Sequence, residues 1–271
     1  MKHWSISDIP WDRFDAAKVD PEMLKVVKAA AMVEYNGGDY ATYLCNVFHD
    51  DPEFQDAARA WAEEEVQHGQ ALSRWAALAD PSFDFDQSFR RFTEGYRLPL
   101  TATSSVRGSR AGELIARCMV EIGTSSFYSA LAEASGEPVL KAISRNIAGD
   151  EFRHYKLFYD HMRRYAARER PGLWTRCRVI LGRLVETRAD DELPFAYFCA
   201  NPGEFQRYDR RLSGRAYARR VSRYYRPTHI ERAVAMSLKA VGIRPNGRLG
   251  QLLSALARRW LAFEAARSAP A

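Results

Sequence analysis

Cysteine is scarce and scattered in this sequence. The four cysteines include no Cys-x-x-Cys pair, which argues against a zinc knuckle, a rubredoxin-type iron site and a disulfide framework. No apolar run approaches the roughly 20 residues of a membrane-spanning helix, and the first residues lack the apolar stretch of a signal peptide. We therefore expect a cytoplasmic protein.

Runs of β-branched residues are also few between Pro21 and about Arg170, where Ala, Leu, Glu, Arg and Met dominate. Breaks at intervals of about 30 or more residues predict long helices packed as a bundle. The fold class predicted is all-α, with a four-helix bundle over 20–170 and a basic helical extension over 171–271. The bundle helices expected are 21–49, 52–79, 109–135 with Gly136 as the C-terminal cap, and 138–170, with a connector over 81–108.

The first predicted helix contains an unusual Asn36-Gly37-Gly38 run. Each glycine costs about 1 kcal/mol relative to alanine inside a helix. The helix either bends at this point, opening space in the bundle, or ends there.

Charge is distributed unevenly along the 271 residues. The net charge of +6 combines −8 for residues 1–160 with +14 for residues 161–271. This asymmetry predicts two regions with different roles rather than a uniformly basic nucleic-acid binder, and no nucleic-acid motif is present. Three interpretations of the basic region stay open: a dock for an acidic carrier protein, a surface for anionic membranes, and a solvated cap over the bundle.

Two Glu-x-x-His tetrads, 65–68 and 151–154, lie in predicted helices. Side chains three residues apart share a helix face, so each Glu and His address a common point. Each tetrad follows a helix with one Glu on its apolar face, 31 and 30 residues upstream, which makes a repeat of about 87 residues. The repeat predicts six inward-facing residues: Glu34, Glu65, His68, Glu121, Glu151 and His154.

Four carboxylates are costly to bury without compensating charge, because each loses its hydration. A pair of divalent cations removes that cost. Carboxylate oxygens with only two imidazoles favour iron or manganese, since zinc sites usually contain more His or Cys. We therefore predict two iron ions as cofactors, with manganese or a mixed Mn/Fe pair as alternatives. One Glu from each of two helices plus Glu-x-x-His from each of two others is the ligand pattern of ferritin-like dinuclear carboxylate proteins.

The segments Trp61–Gly69 and Gly149–His154 resemble the two metal motifs of the soluble acyl-acyl carrier protein desaturases, which belong to the ferritin-like superfamily. The resemblance covers roughly residues 20–165. It implies that the Thr124 hydroxyl relays a proton to bound oxygen, although a helix-interior threonine bonded to its own backbone is an alternative. It also implies that Asp150 orients His68, and by the repeat that Glu64 orients His154.

The function predicted is a non-haem di-iron oxidase or oxygenase that uses O2 to desaturate or hydroxylate an organic substrate, free or carrier-bound, with acyl groups among the candidates. Because the chain has no cluster or flavin motif, a ferredoxin-type protein is the expected electron donor. The alternative is a ferroxidase or iron-handling protein without an organic substrate. A homodimer is compatible with the sequence but not specified by it.

Overall fold

The computed structural model describes residues 3–267, and the side chains of 3–186 and 190–259. Three short 3-10 turns, Ile6–Asp8, Trp11–Arg13 and Ala16–Lys18, precede the helices, and the described residues contain no strand. The fold is therefore all-α, as predicted. The helices are α1 (Pro21–Tyr35), α2 (Gly37–Val47), α3 (Pro52–Ala79), α4 (Phe85–Gly95), α5 (Arg110–Ala134), α6 (Pro138–Glu169), α7 (Leu173–Ala189), α8 (Glu192–Ala200), α9 (Arg210–Ser222), α10 (Pro227–Ala240) and α11 (Arg248–Arg267).

Three of the bundle helices begin with the same local signal. An acidic N-cap, Asp20, Asp51 or Glu137, is followed by proline in the first turn of α1, α3 and α6. The N-cap carboxylate accepts hydrogen bonds from backbone N–H groups that the helix leaves unpaired, and proline needs no such bond. These starts agree with the predicted ones.

The structure corrects three of the predicted boundaries. The first helix is interrupted at Asn36, so α1 and α2 are separate helices that meet at a bend. Helix α5 ends at Ala134, where Ser135 turns extended, and Gly136 is not its cap. The connector contains α4, whose Phe92 is fully buried.

The bundle core consists of two apolar clusters with a polar layer between them. Helices α5 and α6 pack together, as do α1 and α3. In α3 the first cluster ends at Ala62 and the second begins at Ala71. In α6 the clusters meet between Ala148 and Tyr155 in the same way. Both Glu-x-x-His tetrads therefore lie at the boundary between the clusters.

Helices after Pro171 pack directly on the bundle. Helix α8 contacts α1, α7 and α10 contact α5, and Tyr197 and Tyr224 belong to the same apolar cluster as α1. The division into 20–170 and 171–271 stays a prediction. The last helix of the basic extension, α11, begins at Arg248, and its side chains from 260 onward lie outside the described residues. None of the helices in 3–267 combines the length and apolar character that crossing a membrane requires.

The buried carboxyl of Glu192 in α8 should make the unfolding free energy of the protein depend on pH. Burial raises the pKa of its carboxyl from 4.5 to about 7, against the opposing hydrogen bond from Tyr40. Because the folded state holds the proton more tightly, this stabilisation is complete below pH 4.5 and is lost as pH rises through 7. Between pH 5 and 8 the wild type should lose roughly 2 to 3 kcal/mol more unfolding free energy than Glu192→Gln. Urea unfolding at several pH values measures this difference. An equal change in unfolding free energy between pH 5 and 8 for the two proteins would contradict this assignment.

Candidate metal centre

The structure brings all six predicted ligand residues together in the polar layer of the bundle. Each of the six is buried, with no more than 6% of its surface exposed. Helix α1 contributes one glutamate and α5 another, while α3 and α6 each contribute a Glu-x-x-His pair. The residues are Glu34, Glu65, His68, Glu121, Glu151 and His154.

Both imidazoles are oriented with Nδ1 toward the centre of the bundle. The Nε2 atom of His68 lies 3.0 Å from a carboxylate oxygen of Asp150, and Nε2 of His154 lies 2.9 Å from Glu64. A carboxylate partner places the proton on Nε2, which leaves the Nδ1 lone pair free to bind a metal. Both Nδ1 atoms are buried, and neither has a hydrogen-bond partner.

The ligand atoms form two overlapping groups. Glu34, Glu65, His68 and Glu151 supply one group and Glu65, Glu121, Glu151 and His154 the other, and within each group the atoms lie within 4.8 Å of one another. Glu65 and Glu151 belong to both groups, so the two groups share two carboxylates.

The distances within each group fit a metal ion. His68 Nδ1 lies 3.5 to 3.6 Å from oxygens of Glu34, Glu65 and Glu151. His154 Nδ1 lies 3.0 to 3.9 Å from oxygens of its three glutamates. Ligand atoms that are each about 2.1 Å from one ion lie about 3 to 4 Å apart. The buried groups can therefore hold metal ions.

The electrostatics of the cluster also favour cations. Burial raises the pKa of the Glu34 and Glu121 carboxyls well above their usual range, and the charges of Glu65 and Glu151 raise it further. Burial alone would lower the pKa of His68, but its hydrogen bond with Asp150 and the nearby carboxylates of Glu151, Glu34 and Glu65 raise it well above the ordinary value. Two divalent ions would balance the four carboxylates and displace protons from the site.

Glu64 and Asp150 contact the Nε2 atoms of the two imidazoles. The sequence pointed to these two acids but not to their other contacts. Arg153 pairs with both acids. Trp4, from the segment before α1, donates from Nε1 to Asp150 at 2.7 Å and stacks on His68 with 6.0 Å between ring centres. Trp4 and Asp150 are 146 positions apart, so the sequence carries no local signal for this contact.

Arg117 is a second residue that sequence reasoning missed. Its guanidinium is buried, donates to Glu121 Oε1 at 3.2 Å and lies 4.7 Å from the centre of the Trp61 ring. The signal in the sequence is an Arg and a Glu four residues apart on the apolar face of α5.

Thr124 and Tyr128 of α5 complete the surroundings of the carboxylates. The Thr124 hydroxyl donates to Glu151 Oε2, and it also lies 3.3 Å from the carbonyls of Val120 and Glu121. The contact with the helix backbone is the alternative considered for this threonine, and the proton relay stays a prediction. Tyr128 Oη donates to Glu34 Oε1 at 2.6 Å.

The glycine at the α1–α2 bend allows α2 to approach a ligand closely. A Cβ at Gly37 would lie 2.6 Å from Cβ of Glu65, whereas a Cβ at Gly38 would meet no atom within 4 Å. Gly37→Ala should displace the Glu65 backbone and weaken metal retention roughly tenfold or more. Gly38→Ala is the matched control and should retain metal fully. Equal metal content of the two variants after dialysis would show that the close contact between Gly37 and Glu65 is not needed for metal retention.

No family model matches this chain, and none of the curated proteins matches it either.

Proposed function

We propose that the protein is an O2-dependent non-haem di-iron oxidoreductase with a ferritin-like bundle. The observation that supports this most strongly is the inward orientation of two unpartnered Nδ1 atoms around the shared carboxylates Glu65 and Glu151. The donor set is four carboxylates and two imidazoles, which suits iron or manganese.

The bound irons would supply dioxygen reduction. In a hydroxylation, O2, two electrons and two protons convert R–H to R–OH and water. In a desaturation, the same inputs convert –CH2–CH2– to –CH=CH– and two waters. The electrons would come from an external donor of ferredoxin type, because the chain has no cluster or flavin motif.

The side chains of this protein would hold and tune the centre rather than carry electrons to it. Asp150 and Glu64 fix the tautomer and orientation of the imidazoles. The two apolar clusters keep water from the ligands, and Thr124 holds a proton next to Glu151.

Anaerobic reconstitution with Fe(II), followed by chemical reduction and exposure to O2 with a panel of free and carrier-bound substrates, tests this proposal. An oxygenase should take up two irons per chain and release a product whose mass changes by +16 or −2. A ferroxidase should oxidise added Fe(II) repeatedly, take up many irons and leave every substrate unchanged. No oxygen consumption by the reduced, loaded protein would overturn both functions.

Thr124 provides a test of proton delivery. Thr124→Val keeps the shape of the side chain but loses the hydroxyl, and we expect it to retain two irons while product formation slows about 100-fold. Thr124→Ser keeps the hydroxyl and should stay within a few-fold of wild type. If the serine and valine variants behaved alike, the hydroxyl would have only a structural role.

A further inference from the structure

A cavity of about 310 Å³ lies beside the metal centre, between α2, α5, α7 and the connector that follows α4. Its size is at the small end of ligand-binding pockets, which measure about 300 to 1,000 Å³. Tyr40, Tyr43 and Tyr96 line it together with charged residues. The extension contributes one wall through Glu186 and Asp190 of the α7 region.

Arg117 connects this cavity to the metal ligands. The side chain lines the cavity, and its guanidinium donates to Glu121. Its Nε is buried and donates to no acceptor. An anion in the cavity could therefore bind a guanidinium that directly contacts a predicted metal ligand.

The acidic groups on the cavity wall already have partners. Glu186 pairs with Arg107, and Asp190 with Arg183. Glu113 accepts hydrogen bonds from Tyr43 Oη at 2.9 Å and Ser105 Oγ at 2.7 Å. Among the cations on the wall, Arg117 pairs with Glu121 of the predicted metal cluster.

Metal loading changes the charge balance around Arg117. Two divalent ions would balance the four glutamates, so the guanidinium would lose the counter-charge of the cluster and retain that of Glu113, one helical turn away on the same wall. A buried charge of this kind favours a paired anion. The carboxylate of an organic molecule would satisfy it in a bidentate geometry.

From these observations we infer that the cavity is the substrate site of the proposed oxygenase and that it takes a small aryl carboxylate. The carboxylate would pair with Arg117, and the ring would pack among the three tyrosines. Charged and phenolic groups on the wall disfavour a long acyl chain, which needs an apolar tunnel. This inference rests on the proposed function for the reaction, but binding to the cavity is measured separately.

Calorimetric titration of the iron-loaded protein under anaerobic conditions tests the inference, with phenylacetate as the probe. 2-Phenylethanol is its uncharged analogue and octanoate is the acyl comparison. We expect phenylacetate to bind at least tenfold more tightly than either. Equal affinity for phenylacetate and 2-phenylethanol, or preference for octanoate, would overturn the assignment.

Variants locate the binding site. Arg117→Gln should weaken phenylacetate binding at least tenfold and leave 2-phenylethanol binding unchanged. Arg220→Gln is the matched control, because Arg220 is also buried, ion-paired and close to a tyrosine ring but lies in α9; its phenylacetate affinity should equal that of wild type. Unchanged phenylacetate affinity in folded Arg117→Gln would overturn the inference.

A surface variant tests the same cavity in case Arg117→Gln does not fold. Val106 lines the cavity and is 66% exposed, so Val106→Trp should fold and narrow the entrance. It should weaken phenylacetate binding, and unchanged affinity would place the probe elsewhere. Iron is counted on every sample: two irons per chain without phenylacetate binding refutes only this inference, whereas failure to bind iron refutes the proposed function.

Discussion

Replacing both Glu65 and Glu151 with alanine is expected to reduce bound metal from two ions per chain to none. Each carboxylate belongs to both ligand groups, so their loss leaves each group with one carboxylate and one imidazole. Two such ligands cannot hold an ion in competition with water and buffer. Element analysis after Fe(II) loading and desalting measures the effect.

Loss of metal in this double variant must be separated from loss of fold. The metal-free double variant should be no less helical than the metal-free wild type, because it no longer buries two of the four carboxylates. The control changes two exposed acids, Glu63→Ala and Glu94→Ala, and so alters the net charge equally. Two ions retained by a folded Glu65→Ala, Glu151→Ala protein would eliminate the bridging assignment.

Removing the metal from the wild type should destabilise it strongly. An ion that binds only the folded state contributes about 4 kcal/mol when its free concentration is 1,000 times Kd. Two such sites contribute about 8 kcal/mol, which corresponds to a fall in Tm of roughly 15 to 30 °C in a protein of this size. Calorimetric scans before and after chelation measure the difference.

The variants show whether this change in Tm comes from the cluster. Chelation should lower the Tm of the wild type and of the exposed-acid control, but not that of the Glu65→Ala, Glu151→Ala variant. A chelator that lowered all three equally would be acting on something other than this cluster. Restoration of Tm by Fe(II) or Mn(II) would show that the effect is reversible.

The ligand set was accessible from the sequence because it follows a local pattern. Glu and His three residues apart must share a helix face, and helix starts such as Asp51-Pro52 are determined by capping chemistry within a few residues. The repeat of about 87 residues then indicated which helices carry equivalent ligands, although it does not indicate how the helices pack. The roles of the six residues remain predictions.

Other features depend on contacts between distant segments. The stacking of Trp4 on His68 and the cavity wall from α7 both follow from tertiary packing. Helix α4 was missed although Phe85, Phe89 and Phe92 have helical spacing, because its connector is also rich in Gly, Ser and Arg. The end of α5 was misplaced because Ser135 turns extended before Gly136 is reached.

The proposed centre holds two ions that share Glu65 and Glu151 inside the bundle. Crystallographic anomalous scattering at the iron edge, on protein loaded anaerobically with Fe(II), tests it most directly. Two anomalous peaks are expected in the polar layer, one next to Nδ1 of His68 and the other next to Nδ1 of His154, with Glu65 and Glu151 adjacent to both. A folded, iron-treated protein with no peak in this layer, or with a single one, would contradict it.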